Sequence, residues 1–152
     1  MTTSKSAYFY ALLSLCLGLF ASTATAKDEV NSSLFGNVAI ESTDPVAYFT
    51  EGKAVKGRKD FEHVWKDAKW RFSSAANRDL FAADPERYAP QYGGYCAYAV
   101  SQGYTAGIDP EAWSIVGDRL FLNYSKEVQE EWLDSRDAFI EAADENWPSV
   151  LE

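Results

Sequence analysis

Large apolar side chains alternate with polar ones in two regions of the chain, and each region predicts a β-hairpin. Phe61, His63 and Trp65 occupy every second position, and the alternation resumes at residues 70–72 after a polar interruption. A second pair of apolar runs, residues 114–116 and 120–122, flanks Gly117-Asp118, a dipeptide suited to a tight turn. A period of two is typical of a half-buried strand, so we expect two antiparallel hairpins.

Two other stretches have helical spacing. Ser73 or Ser74 can cap a helix over residues 75–83, which we expect to turn Leu80 and Phe81 inward. Ser125 can cap a long C-terminal helix that ends at Pro148. Its apolar residues recur at three- and four-residue steps: Val128, Trp132, Leu133, Phe139, Ile140 and Ala143. The expected fold class is α+β, with small antiparallel β-hairpins packed against short helices and a long C-terminal helix.

The dipeptide Asp-Pro occurs at residues 44, 84 and 109, each time with an aromatic residue four positions after the Asp. Asp is a good N-cap, and Pro is well tolerated at the first helical position. We therefore expect three short helical turns that direct Tyr48, Tyr88 and Trp113 towards the core.

The first 26 residues have the pattern of a secretory signal peptide. Lys5 precedes an apolar run over residues 7–21, and Ala24-Thr25-Ala26 gives the small-x-small exit. The run is shorter than the roughly 20 residues that a membrane-spanning helix needs. We expect cleavage after Ala26 and a periplasmic or secreted protein with no membrane attachment. Residues 27–37 then form a flexible segment and residues 38–150 a single domain.

Charge and rare residues narrow the function. The chain has 152 residues and a net charge of −9, so no basic face is expected to meet a nucleic acid. Removing residues 1–26 takes away one base, Lys5, and leaves 13 bases against 23 acids, a net charge of −10. Cys16 also leaves. Cys96 then has no partner for an intramolecular disulfide, and His63 is the single histidine.

Several segments, taken together, resemble the YHS domain family. They are residues 44–49 (Asp-Pro-Val-Ala-Tyr-Phe), 70–74 (Trp-Arg-Phe-Ser-Ser), 81–88 and 92–97 (Tyr-Gly-Gly-Tyr-Cys-Ala). The resemblance is strongest to a secreted bacterial branch of small proteins, some of which carry selenocysteine at the Gly-Gly-Tyr-Cys position. It implies redox or nucleophilic chemistry at Cys96. Relatives fused to copper-transporting ATPases imply metal binding through paired cysteines.

This chain departs from the metal-binding pattern of those relatives. Ala47 and Ser73 stand where the family has the two cysteines. A soft metal site needs thiolate or thioether ligands, and a structural zinc site needs four ligands. We therefore predict no cofactor. Copper or zinc, if bound, would have to use Cys96 and His63.

Two local structures are open for Cys96. If residues 95–102 form a helix that Gly93-Gly94 opens, the thiol lies in the first turn, where free N–H groups lower its pKa. The glycines would then let a ligand approach the sulfur, and Tyr95 would be placed to hydrogen-bond it. Alternatively, residues 92–100 form a strand, and Cys96 is a small buried hydrophobe.

Three functions follow, and whether the protein is an enzyme stays open. We favour a periplasmic thiol in redox handling, with Cys96 oxidised to a sulfenic acid that an external thiol reduces. His63 would act as its base or ion-pair partner if the two residues meet; otherwise it is a hydrogen-bonded core histidine. The alternatives are a module that binds a metal ion or small ligand through Cys96 and His63, with a metal-handling partner, and a structural interaction domain.

Overall fold

Two β-hairpins and six helices make up the part of the chain that the computed structural model describes, residues 26–152. The strands are β1 (Arg58–Trp65), β2 (Ala68–Phe72), β3 (Asp109–Val116) and β4 (Arg119–Asn123). The helices are α1 (Pro45–Thr50), α2 (Ala75–Ala83), α3 (Pro85–Tyr88), α4 (Ala97–Ser101), α5 (Lys126–Asp134) and α6 (Arg136–Asn146). Short 3₁₀ turns span Ile40–Ser42, Tyr92–Gly94 and Ser149–Leu151. The predicted α+β class is confirmed.

Both predicted hairpins are present, and each forms a separate two-stranded antiparallel sheet. In the first, Trp65 pairs with Ala68 around Lys66 and Asp67, both of which have positive φ. In the second, Val116 pairs with Arg119 around Gly117-Asp118. Local alternation, with the Gly117-Asp118 turn in the second case, was sufficient to predict the two hairpins.

An aromatic cluster joins α2 to the first hairpin. The Phe81 ring lies 5.0 Å from that of Trp70 and 5.1 Å from that of Phe72, and all three side chains are buried. Ser74 caps α2 by accepting from the Asn77 N–H at 3.1 Å, as predicted. The inward placement of Leu80 was wrong, since 42% of this residue is exposed. Successive helical residues point about 100° apart, and Phe81 occupies the face towards the hairpin.

The C-terminal helix is divided in two. Ser125 caps α5 as predicted, but the helical backbone breaks at Ser135, where φ is −136° and ψ is 37°. The two helices have different partners: α5 packs on β3 and β4, where Trp132 meets Phe121, and α6 packs on α4. The expectation of one long helix was therefore wrong, because a straight helix would not follow both surfaces.

The Asp-Pro prediction holds at two of its three positions. Asp44 accepts from the N–H groups at the start of α1, and Asp84 accepts from the Arg87 N–H at the start of α3. Asp109-Pro110 instead begins β3, where Asp109 pairs with Asn123 across the hairpin. The third helical turn was therefore wrong, because pairing with β4 prevails over the local capping signal.

The N-terminal segment is attached to the domain. Val30 is buried, the Asn31 N–H donates to the Gly93 carbonyl at 2.8 Å, and the Lys27 N–H donates to the Leu151 carbonyl at 2.8 Å. The expected flexibility of residues 27–37 does not agree with these contacts. Residues 1–25, which hold most of the predicted signal peptide, lie outside the described residues. Among residues 26–152, no helix has the length and apolar character that crossing a membrane requires.

Candidate functional site

Cys96 occupies the N-cap position of α4, and Tyr95 separates it from the 3₁₀ turn Tyr92–Gly94. Its own N–H donates to the Ala106 carbonyl at 3.1 Å, and its backbone makes a β-bridge to Leu122 of β4. Helix α4 ends before Gly103, whose φ of +86° is typical of the residue after a helix C-cap. A helix is therefore confirmed in this segment, but it begins at Ala97, so Cys96 precedes the first turn in which it was expected.

The thiol is buried and neutral in character. Only 1% of Cys96 is exposed, and this burial raises the pKa of its thiol. The backbone amides of Ala99, Tyr124 and Tyr98 act in the opposite direction and reduce the effect. The lowered pKa expected from the helix start was wrong, because the cost of desolvating a thiolate outweighs the amides of a five-residue helix.

An apolar pocket of about 250 Å³ adjoins the sulfur. Besides Cys96, its walls are Tyr98, Ala99, Tyr104, Ala106, Tyr124 and Val128. Tyr104 and Tyr124 are more than half exposed and form the rim, whereas Cys96 is the buried end. The Tyr98 hydroxyl donates to the Glu131 carboxylate at 2.8 Å, which holds that ring in place. We call this cavity the Cys96 pocket.

Asn123 contacts the Cys96 thiol and carries an unpaired hydrogen-bond donor. Its side chain is fully buried, and its Oδ1 accepts from the Tyr98 N–H at 3.1 Å and from the Cys96 thiol at 3.7 Å. Because the Tyr98 N–H can only donate, the amide atom that it contacts must be the oxygen, and the remaining amide atom is Nδ2. Within residues 26–152, Nδ2 has no hydrogen-bond partner.

Sequence reasoning missed Asn123. The signal available was a single amide after the apolar run Leu120-Phe121-Leu122, at a position that closes a strand. An Asn at such a position is normally interpreted as part of a turn, because Asn is common in turns. Its role depends on the pairing of β4 with Cys96, which is a tertiary contact.

His63 lies apart from the thiol site. It belongs to β1, and its ring packs edge-on against Phe81 at 6.1 Å. It is not among the residues that line the Cys96 pocket. The core interpretation of His63 agrees with this packing, and the proposed pairing with Cys96 has no support in it.

Gly93, Gly94 and Tyr95 face the N-terminal segment. A Cβ at Gly93 would lie 1.8 Å from the Glu29 carbonyl oxygen, and one at Gly94 would lie 2.4 Å from Ile40. The Tyr95 hydroxyl donates to the Asp28 carbonyl at 2.9 Å. The close approach expected at these glycines is real, but the chain itself makes it, through the Glu29 backbone at Gly93 and the Ile40 side chain at Gly94.

The fold brings together the two positions at which metal-binding relatives would carry cysteines. The Ala47 N–H donates to Oδ1 of the buried Asp44 at 3.3 Å, and the Ser73 N–H and hydroxyl donate to its Oδ2 at 2.8 and 2.7 Å. Asn77 Nδ2 adds a bond of 2.7 Å. This arrangement offers no thiolate, so it does not fit a soft metal. Among the described residues, no group of three or more His, Cys, Asp or Glu side chains could hold a metal ion.

Fold and site define an α+β domain with one buried thiol beside an apolar pocket. Residues 46–92, a segment that runs from α1 to Tyr92, match the family model of the YHS domain. Comparisons with curated proteins and with solved structures gave no significant match. Cys96 and Asn123 lie beyond the matched segment.

Proposed function

We propose that the protein is a periplasmic or secreted thiol protein in redox handling, and that Cys96 is its reactive atom. One observation carries the proposal: the thiol at the end of an apolar pocket contacts a buried amide, Asn123, whose own donor is unpaired. An unsatisfied donor in the interior costs free energy, and a group that adds an acceptor beside the sulfur would recover that cost.

The walls of the pocket favour a small uncharged oxidant, and we propose a peroxide. Cys96 loses its proton and attacks one peroxide oxygen, so that an S–O bond forms and the O–O bond breaks. The departing oxygen takes the proton and leaves as water or an alcohol. The sulfur is oxidised by two electrons to a sulfenic acid, and the peroxide is reduced by two. Because burial raises the pKa of Cys96, this reaction is slow at neutral pH and faster in alkali.

Asn123 supports the oxidised state in this scheme. Its Oδ1 contacts the thiol and its Nδ2 has no partner, so we propose that Nδ2 donates to the new oxygen on the sulfur. The donor that lacks a partner in the thiol form then gains one in the sulfenic acid. This hydrogen bond stabilises the product by satisfying a buried group.

Recovery needs thiols from outside the chain. After the predicted cleavage, the mature chain holds no second cysteine. An external thiol would displace water from the sulfenic acid to give a mixed disulfide, and a second thiol would release Cys96.

The test is trapping of the sulfenic acid. Native protein treated with hydrogen peroxide and then with dimedone is expected to carry one adduct at Cys96 by mass spectrometry, and Cys96→Ser none. Asn123→Asp keeps the oxygen that accepts from the Tyr98 N–H but removes the amide donor. We expect it to shorten the lifetime of the sulfenic acid while the protein stays folded by circular dichroism. An adduct that forms only in urea would contradict the proposal.

Non-covalent binding of a small ligand is the second candidate function. It is favoured by the three tyrosine rings and Val128, because an apolar pocket with a few polar groups is typical of ligand sites. An aromatic ligand seated there is expected to slow alkylation of Cys96.

A further inference from the structure

A second cavity, of about 280 Å³, lies on a different part of the surface. The N-terminal segment, the β1–β2 turn and the end of α6 meet there. Trp65, Trp147 and Tyr92 give it aromatic walls. Three carboxylates also line it, those of Glu29, Glu86 and Asp144. We call it the indole cleft.

The chain itself places one ammonium group in this cleft. The Nζ atom of Lys66 lies 4.8 Å from the centre of the Trp65 ring and forms an ion pair with Glu29. An aromatic face and a carboxylate are the two partners that an organic cation prefers. Lys66 is also solvent-exposed, with 38% of its side chain accessible, so a competing cation can replace it at little cost.

One of the two other carboxylates in the cleft remains available. Within the described part of the chain, Glu86 has no ion-pair partner. Asp144 is held by Arg119 at 2.6 Å and by the Tyr92 hydroxyl at 2.8 Å. Partial burial raises the pKa of Asp144, but the hydrogen bonds from Arg119 and Tyr92 outweigh this effect. The pKa is lowered overall, so this carboxylate is ionised at neutral pH.

We propose that the indole cleft binds a primary alkylammonium group, with the ammonium between Glu86 and the Trp65 face and the alkyl part against the indoles. Carboxylates favour a primary ammonium over a quaternary one, because only the former donates hydrogen bonds. An anion is disfavoured, since Lys66 and Arg119 are already paired with Glu29 and Asp144, and Glu86 adds an unpaired negative charge. The net charge of −9 also attracts cations to the protein.

The test is a titration of the full protein with n-butylammonium, followed by NMR at the assigned indole N–H signals of Trp65 and Trp147. We expect saturable shifts at both, and none with n-butanol, which has the same apolar body without the charge. Lys66→Met vacates the Trp65 face and should tighten binding about threefold. Glu86→Gln should weaken it about threefold, whereas Glu130→Gln, an exposed acid on α5, should leave it unchanged.

Two sources can supply this group, and a second probe separates them. Tighter binding of Nα-acetyl-lysine methylamide than of butylammonium would assign the cleft to a lysine side chain of a peptide. Equal or weaker binding would assign it to a free amine. Shifts of equal size with n-butanol, or an affinity that neither Lys66→Met nor Glu86→Gln changes, would overturn the proposal. None of these variants lies in the Cys96 pocket.

Discussion

The buried Asp44 carboxylate ties three elements together by accepting five hydrogen bonds. Its donors lie at the start of α1, just after β2, and in α2, at Asn77. Replacing Asp44 with Asn turns one acceptor oxygen into a donor that faces other donors. We expect Asp44→Asn to lower the free energy of unfolding by about 2 kcal/mol, measured by urea denaturation.

Asp84 is a matched control for Asp44, because it stands in the same Asp-Pro device. It is exposed and accepts one helix N–H, that of Arg87 at 3.3 Å. Since Asn caps helices about as well as Asp, Asp84→Asn should cost less than about 0.5 kcal/mol. Equal losses in the two variants would show that the extra bonds at Asp44 carry no stability.

Cys96 should make the stability depend on alkaline pH. Burial raises the pKa of its thiol in the folded protein above the value in the unfolded chain, which is about 8.5. The stability linked to this thiol is therefore full below the unfolded pKa and is lost as pH rises through the folded pKa. Urea denaturation at pH 7 and pH 10 should show a larger alkaline loss for the wild type than for Cys96→Ala.

Other groups do not obscure this comparison. The pKa values of Tyr48 and Tyr92 are raised as well, mainly by burial, and both tyrosines are present in the two proteins. The difference between wild type and variant therefore reports the thiol. An equal alkaline loss in both would mean that Cys96 titrates in the folded protein as a free thiol does.

At the level of single residues, the candidate site was predictable from the sequence in part. Composition and compartment pointed to Cys96, since it alone remains after the predicted cleavage. The direction of its pKa shift was not predictable, because it depends on how completely distant strands cover the sulfur. The same reason hid Asn123, whose relation to Cys96 exists only after β4 has docked.

Among the local elements, the turn at Gly93 allows a prediction about the cost of adding a side chain. Gly93 has a φ of +61°, and an added Cβ would meet the Glu29 carbonyl oxygen at 1.8 Å. Overpacking of this kind adds to the backbone strain of an L residue at positive φ. We expect Gly93→Ala to cost about 3 kcal/mol in urea denaturation and to speed hydrogen exchange at the Asn31 amide, which donates to Gly93.

Gly117 separates strain from overpacking. It has the same φ of +61°, and a Cβ there would meet no atom within 4 Å. Gly117→Ala should therefore cost only about 1 kcal/mol, the strain alone. If the two variants were equally stable, the contact between Gly93 and the N-terminal segment would not hold that segment.

Hairpins and helix caps were predictable because their signals are local. A period of two, a turn dipeptide, or a serine before an apolar helix acts within a few residues. The break at Ser135 and the strand at Asp109 were not predictable. Each depends on a partner distant in sequence, α4 for the first and Asn123 for the second, and these partners prevailed over local propensity.

For the whole molecule, export is the prediction to test first. The Ala-Thr-Ala motif at residues 24–26 leads us to expect cleavage after Ala26 when the full chain is produced in a bacterium. Mass spectrometry of the periplasmic fraction should find a mature protein that begins at Lys27. Ala26→Glu should abolish processing at this site, and unprocessed wild-type protein in the membrane fraction would contradict the signal peptide.

The packing of the N-terminal segment against the domain could not be predicted from the sequence either. Its polar composition suggested a free tail, yet Glu29 and Val30 form a wall of the indole cleft. The only trace in the sequence was Gly93-Gly94, which indicated a close backbone approach without naming its partner. A long-range contact between residues more than sixty apart leaves no periodic pattern.

The hydrogen bond from the Lys27 N–H to the Leu151 carbonyl has a consequence for redesign of the chain. Because these residues are neighbours, a short glycine linker could join them without disturbing a buried contact. The exposed turn at Gly52, where a Cβ would meet nothing within 4 Å, could then be opened to give new termini. The order of the elements along the polypeptide is thus separable from their order in space, and the domain is a natural candidate for circular permutation.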